Sequence, residues 1–136
     1  MADVLSKQER SKTMSLIRGR ENKATELALI KILRRYELSG WRRHARLPGT
    51  PDFVFRRQRL VVFVDGCFWH GCPKHCRMPA SNRKYWNNKI LRNKKRDRLV
   101  SRTLRQKGWR VVRIWEHEIK FKSRVARKLK SLGRFN

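Results

Sequence analysis

The sequence predicts one small α/β domain, and three observations lead there. The chain has 136 residues, the length of one domain and enough to bury a real core. Apolar runs of β type stand at Leu60 to Val64 and at Trp109 to Trp115. Segments with a helical period surround them, from Asn22 to Leu38 and from Asn82 to Lys107.

In chain order, Ser6 to Arg20 reads as a short basic helix or an arm, and residues 1–20 form a basic N-terminal arm to a domain spanning residues 1–136. In Asn22 to Leu38 an apolar face is expected from Leu27, Ile30, Leu33 and Leu38, with Ala24, Ala28 and Ile32 beside it. Asn22 or Thr25 caps its start, and Ser39-Gly40 marks its end. Trp41 to Arg46 is expected as a strand, Leu47 to Pro51 as a turn, and Asp52 to Phe55 as a second strand. Arg56 to Arg59 turns the chain into the third strand, Leu60 to Val64. A loop, Gly66 to Ser81, leads to the long basic helix, whose apolar positions are Trp86, Ile90, Leu91, Leu99 and Leu104. Gly108 stops that helix, Trp109 to Trp115 forms a fourth strand, and Phe121 to Leu132 a last amphipathic helix.

Charge bounds the partners. Lys and Arg number 37 against 10 Asp and Glu, a formal net charge of +27. Such self-repulsion calls for a polyanion, and the cations run through the whole chain instead of forming one tail, so the folded domain itself is basic. Nucleic acid is the leading partner, because phosphate neutralisation and counterion release supply its affinity. A membrane partner is disfavoured: no apolar run is long enough to span a bilayer, and no strong interfacial helix stands out. Met1 to Arg20 has no apolar core of a secretory signal, so an intracellular setting is expected.

All three cysteines and two of the four histidines fall between Cys67 and Cys76. With Gly71, Pro73 and Lys74 between them, they make a poor apolar core. Metal ligation is the better reading, with a tetrahedral structural Zn2+ the expected ion. Cys67, Cys72 and His75 would be joined by His117 just past the fourth strand, with Cys76 competing with His75 for its place. Among the few acidic residues, Asp52 opens a strand beside a phosphate-binding surface, where a carboxylate suits Mg2+. His70 lies close enough in sequence to serve as an acid or base, and together they suggest metal-assisted phosphodiester hydrolysis. Asp65 closes the third strand. Taken singly, Glu26 reads as part of a solvated helix face and Asp97 as an exposed ion-pair partner.

Pro51-Asp52-Phe53-Val54, Phe63-Val64-Asp65-Gly66-Cys67-Phe68-Trp69-His70, Tyr85-Trp86 through Arg96-Asp97, Gly108-Trp109-Arg110-Val111 and Trp115-Glu116 resemble the very-short-patch repair endonucleases. The likeness extends to Arg10-Ser11-Lys12-Thr13-Met14 in the arm. It implies a restriction-endonuclease-like fold, a variant of the PD-(D/E)xK core with a mixed central sheet flanked by helices. It also implies Mg2+-dependent nicking of double-stranded DNA 5′ to the thymine of a T·G mismatch, the product of 5-methylcytosine deamination. On this resemblance Asp52 holds Mg2+, with the Val64 carbonyl as a further ligand. His70 transfers a proton, supported by Asp97 and Glu26. Phe68, Trp69 and Trp86 wedge between bases, and Met14 enters from the opposite groove. Aromatic insertion of this kind unstacks a base step for a few kcal/mol, least at a mismatch. Asp65, where the best-known member has histidine, is expected as a second metal-site or water-orienting residue or as a strand-end cap. A monomer acting in the bacterial cytoplasm at the nucleoid, followed by downstream repair proteins, completes the expectation. Two rivals are a nicking enzyme without a T·G requirement and a zinc-braced DNA-binding protein without catalysis.

Overall fold

The computed structural model describes residues 23–67, 71–72 and 81–135. Helix α1 (residues 23–35) precedes strands β1 (Trp41–Arg43), β2 (Phe53–Phe55) and β3 (Leu60–Asp65). Helix α2 (Arg83–Gln106), strand β4 (Arg110–Trp115), a 3-10 turn (Glu116–Glu118) and helix α3 (Lys122–Gly133) follow. The sheet order is β1-β2-β3-β4, antiparallel through the first three strands and parallel between β3 and β4. A parallel pair needs a crossover, and α2 supplies it. The expected mixed sheet flanked by helices is therefore present.

Both faces of the sheet are covered, which is why Leu60 to Val64 reads as a continuous apolar run instead of an alternating one. Leu60 and Val62 face a core shared with Leu29, Leu33, Val112, Ile114 and Leu129 of α1, β4 and α3. Val61 and Phe63 face a smaller core with Val54 and Leu104, under α2. Asp52 sits at the mouth of the β2–β3 pair, beside the carboxyl-terminal end of β3.

Several local expectations are corrected by packing. In α1, Leu29 is fully buried while Leu27 is 46% exposed, so the buried face is turned from the expected one, with Ile32 inside it. The helix ends at residue 35, although Leu38 still packs inward. Strand β1 stops at Arg43, because His44 takes a positive φ of 50° that a strand cannot continue. Leu91 and Leu99 lie exposed on α2, and Asn93 and Ser101 take buried places instead. The helix starts at Arg83, after Asn82 in the left-handed region. Phe121 and Leu132 are exposed at the ends of α3, and the 3-10 turn after β4 was not foreseen. A helix presents apolar residues to whatever neighbour the topology provides, and periodicity alone does not say which stripe meets it. Among the described residues, no helix is long and apolar enough to cross a membrane.

Candidate active site and metal centre

The β2–β3 pairing turns Asp52 back toward β3, where the Val64 N–H donates to Asp52 Oδ2 at 2.7 Å. That bond orients the carboxylate from below. It faces a cavity of about 340 Å³ lined also by Asp65, Arg96, Asp97 and Arg113. Three carboxylates thus converge, from the residue before β2, from the end of β3 and from α2. Burial, countered by the Val64 bond and reinforced by the neighbouring carboxylates of Glu26 and Asp65, pushes the Asp52 carboxyl up from 3.8 to about 7. Ionising it near neutrality therefore favours a cation in its place. Oxygen donors of this kind fit a hard divalent ion such as Mg2+.

Glu26 is only 7% exposed, not on a solvated helix face. Arg43 holds its Oε2, His44 Nε2 lies 3.7 Å from the same oxygen, and Glu26, His44 and Asp52 gather their donor atoms within 4.8 Å. Asp97 is part-buried instead of exposed, with Oδ1 3.8 Å from Arg113 Nη1.

Just past the same carboxyl-terminal end of β3, a second cluster assembles. Cys67 Sγ lies 3.2 Å and Cys72 Sγ 3.6 Å from His117 Nδ1, and both cysteines are buried. The parallel pairing of Asp65 with Trp115 is what brings His117 there, as the sequence reading required. Zn–S near 2.3 Å and Zn–N near 2.0 Å in a tetrahedron give ligand separations of roughly 3.5 Å, which these distances fit. Burial pushes the Cys67 thiol up to about 12, with Cys72 adding to the rise, so a thiolate there needs a cation beside it. The Cys67 N–H also donates to Glu116 Oε1 at 2.7 Å, tying the loop to the segment that carries His117. Gly71 has a positive φ of 66°, and a Cβ there would meet Ile90 Cγ2 at 2.7 Å, so the turn between the cysteines requires glycine.

The family model for the DNA mismatch endonuclease Vsr matches residues 2–78. The chain belongs to the Vsr family. It is 42% identical over 119 residues to the DNA mismatch endonuclease Vsr of Escherichia coli, covering 85% of this chain and 74% of that enzyme. It is 41% identical over 126 residues to the type II nicking enzyme V.XorIIP of Xanthomonas oryzae, covering 88% of each. A shorter stretch of 68 residues is 54% identical to the type II nicking enzyme V.NaeI of Lentzea aerocolonigenes, covering 50% of this chain and 41% of that protein. A Vsr-family chain is a DNA endonuclease.

In this Vsr-family chain the structure brings together Asp52, Asp65, Asp97 and Glu26 at one end of the sheet, and Cys67, Cys72 and His117 at a neighbouring point. His70, Phe68, Trp69, Met14, His75 and Cys76 lie outside the described residues. Trp86 is 5% exposed, its ring edge-on to Tyr85 at 5.0 Å, and Tyr85 is the outward-facing aromatic of the pair.

Sequence reasoning missed His44, Glu116 and Arg113. Arg113 donates from Nη1 to both oxygens of Asp65 at 3.0 and 3.2 Å. It also donates from Nε to Ser101 Oγ at 3.0 Å and from Nη2 to the Asp97 carbonyl at 3.1 Å, with its guanidinium 4.2 Å from the Phe63 ring centre. One side chain thus locks β3, β4 and α2 around the cavity. In the sequence it was one arginine among many. The signal was its place between Val112 and Ile114, inside a strand whose other cation, Arg110, stands at the strand's start. Arg113→Met removes the guanidinium that meets both oxygens of the Asp65 carboxylate, whose side chain is 6% exposed. A loss of about 3 kcal/mol in urea unfolding is expected. Adding Asp65→Asn should recover most of it, and a double-mutant cycle with no coupling would refute the pairing.

Proposed function

We propose that this chain is a Mg2+-dependent endonuclease that nicks double-stranded DNA 5′ to the thymine of a T·G mismatch left by 5-methylcytosine deamination. The observation that carries this reading is the Asp52 carboxylate, anchored by the Val64 N–H at 2.7 Å and facing Asp65 and Asp97 across one cavity of a chain charged +27. Both the family match and relatives described as nicking enzymes support it.

In this reading Asp52 and the Val64 carbonyl hold Mg2+, which supplies positive charge for the scissile phosphate and an acidified water. Asp52 is oriented for that task by the bond from below. His70 moves the proton, Asp97 and Glu26 support it, and Arg113 keeps Asp65 from adding a second uncompensated charge beside Asp52. Zn2+ on Cys67, Cys72, His117 and either His75 or Cys76 braces the loop that carries Phe68, Trp69 and His70. Phe68 and Trp69, with Met14 from the other groove, open the base step, which costs less at a mismatch than in paired DNA, while Trp86, 5% exposed, stays within the fold. A monomer suits one asymmetric lesion, and the nick passes to downstream repair proteins.

The test is cleavage, with Mg2+, of an end-labelled duplex holding one T·G pair beside its fully paired control. A single nick 5′ to the thymine, at least about 100-fold faster than in the control, is expected, since a mismatch removes a few kcal/mol of opening cost. Equal cutting of both duplexes would leave an endonuclease without mismatch selection, and binding without any cutting would remove the reading.

A further inference from the structure

A second hollow, of about 940 Å³, adjoins the carboxylate cavity and shares Asp65, Asp97 and Arg113 with it. It lies between α2 and the carboxyl-terminal ends of β3 and β4, reaching Trp115. Its α2 wall presents Lys94, Arg98, Arg102 and Arg105. At 100° and 1.5 Å per residue these four fall within an arc of about 80° and extend over about 16 Å. Arg98, Arg102 and Arg105 are exposed. Arg98 is held along the helix by its Nε–H, which donates to the Lys94 carbonyl at 3.5 Å.

Several cations in one row, beginning at the cavity that holds Asp52, make a surface different from the general basicity of the chain. The rest of the chain provides the comparison. At the opposite end of the strands, Arg57, Arg110 and Arg134 line, with Glu37, a separate hollow of about 610 Å³ that shares no lining residue with the Asp52 cavity. Of these two described groups, the α2 row adjoins the reaction site and the distal group does not.

We infer that the row Lys94, Arg98, Arg102 and Arg105 is the track along which the cut strand runs, each cation meeting a backbone phosphate on one side of the scissile bond. This rests on the endonuclease reading and adds to it the surface that sets the strand's path. With 3.4 Å of axial rise per nucleotide, about 16 Å of helix follows roughly three to five phosphates. Phosphate contacts of this kind fix register without reading sequence. The track therefore aligns the strand on Asp52 and leaves selection of the lesion to the aromatic loop.

The test compares two triple variants that remove the same charge. One is Arg98→Gln/Arg102→Gln/Arg105→Gln, the other Arg57→Gln/Arg110→Gln/Arg134→Gln. Affinity for a short duplex is measured against salt in buffer without added Mg2+. The track variant should bind about 10- to 100-fold more weakly, with a salt slope smaller by about two to three. The distal variant should change less than about threefold, because charges far from the duplex are screened. Equal losses in both would reduce the row to bulk charge and overturn the inference. Phosphate ethylation interference on the unaltered protein checks the same point without any variant. Interfering phosphates should form one contiguous run on the nicked strand beside the cut, and a scattered pattern would overturn the track. Nicking of the T·G duplex by a track variant that binds like the parent would sink the inference alone. A track confirmed in a chain that never cuts would instead sink the endonuclease reading.

Discussion

Replacing Asp52 by asparagine is expected to reduce nicking of a T·G duplex by at least about 10³-fold while leaving duplex affinity within a few fold. Asparagine keeps an oxygen for the Val64 N–H and nearly the same volume, so the fold is retained. What disappears is the charge that holds a cation in the cavity. The same substitution carries a second, independent signature in stability. The Asp52 carboxyl is raised from 3.8 to about 7, chiefly by burial. A group raised in the folded state contributes stability that is complete below its unfolded value and lost as pH climbs through the folded one. In metal-free protein that contribution therefore fades between about pH 4 and pH 7. The full displacement corresponds to about 4 kcal/mol, and solvent reaching the cavity reduces it to about 1–2 kcal/mol. Asparagine has no such titration, so the variant should match or exceed the parent in stability at pH 8 without metal. Millimolar Mg2+ should raise the parent's melting temperature at pH 8 and leave the variant unmoved. Undiminished cleavage by the asparagine variant would displace Asp52 from the site, whatever the melting data show.

The second large effect is expected at the cysteine–histidine centre. Purified protein should carry one Zn2+ per chain, and Cys67→Ser or His117→Ala should lose it. With metal-binding energy acting as folding energy, loss of the ion should lower the melting temperature by about 10 °C or more. Nicking should fall in the same preparations, because Cys67 and Cys72 bracket the segment holding Phe68, Trp69 and His70. The centre joins this loop to the turn after β4 through Cys67 Sγ and His117 Nδ1, 3.2 Å apart, and through the Cys67 N–H bond to Glu116. Elemental analysis showing no zinc in active, fully folded protein would leave these cysteines as ordinary buried thiols.

Much of the architecture was legible before any coordinates. Leu60 to Val64 had to be a strand covered on both sides, because five apolar β-type residues in a row cannot show an alternate face to water. The sequence placed His117 near Cys67 and Cys72 on condition that the fourth strand lie beside the third. The parallel β3–β4 pair joined through the long helix, which the fold supplied, meets that condition. The candidate site was legible for a related reason. Rare residue types in a chain of this charge, namely cysteine, histidine and a strand-opening aspartate, stand out by chemistry alone.

What stayed hidden was whatever depends on which neighbour arrives. Leu27 and Leu29 lie on opposite sides of a helix, about 200° apart, and the period pointed to Leu27; the packing of α1 onto the core decided instead that Leu29 is buried and Leu27 exposed. Glu26 looked like a solvated helix residue until Arg43 and Asp52 closed over it from a different part of the chain. Arg113 was one cation among 37 until the fold set it between Asp65, Ser101 and the Asp97 carbonyl. The sequence by itself determined which residues can be strand, helix, ligand or acid, since these follow from local sterics and side-chain chemistry. Only the tertiary structure decided which charges are compensated and which are left facing a cavity, because Coulomb and desolvation energies depend on distances between residues far apart in the chain.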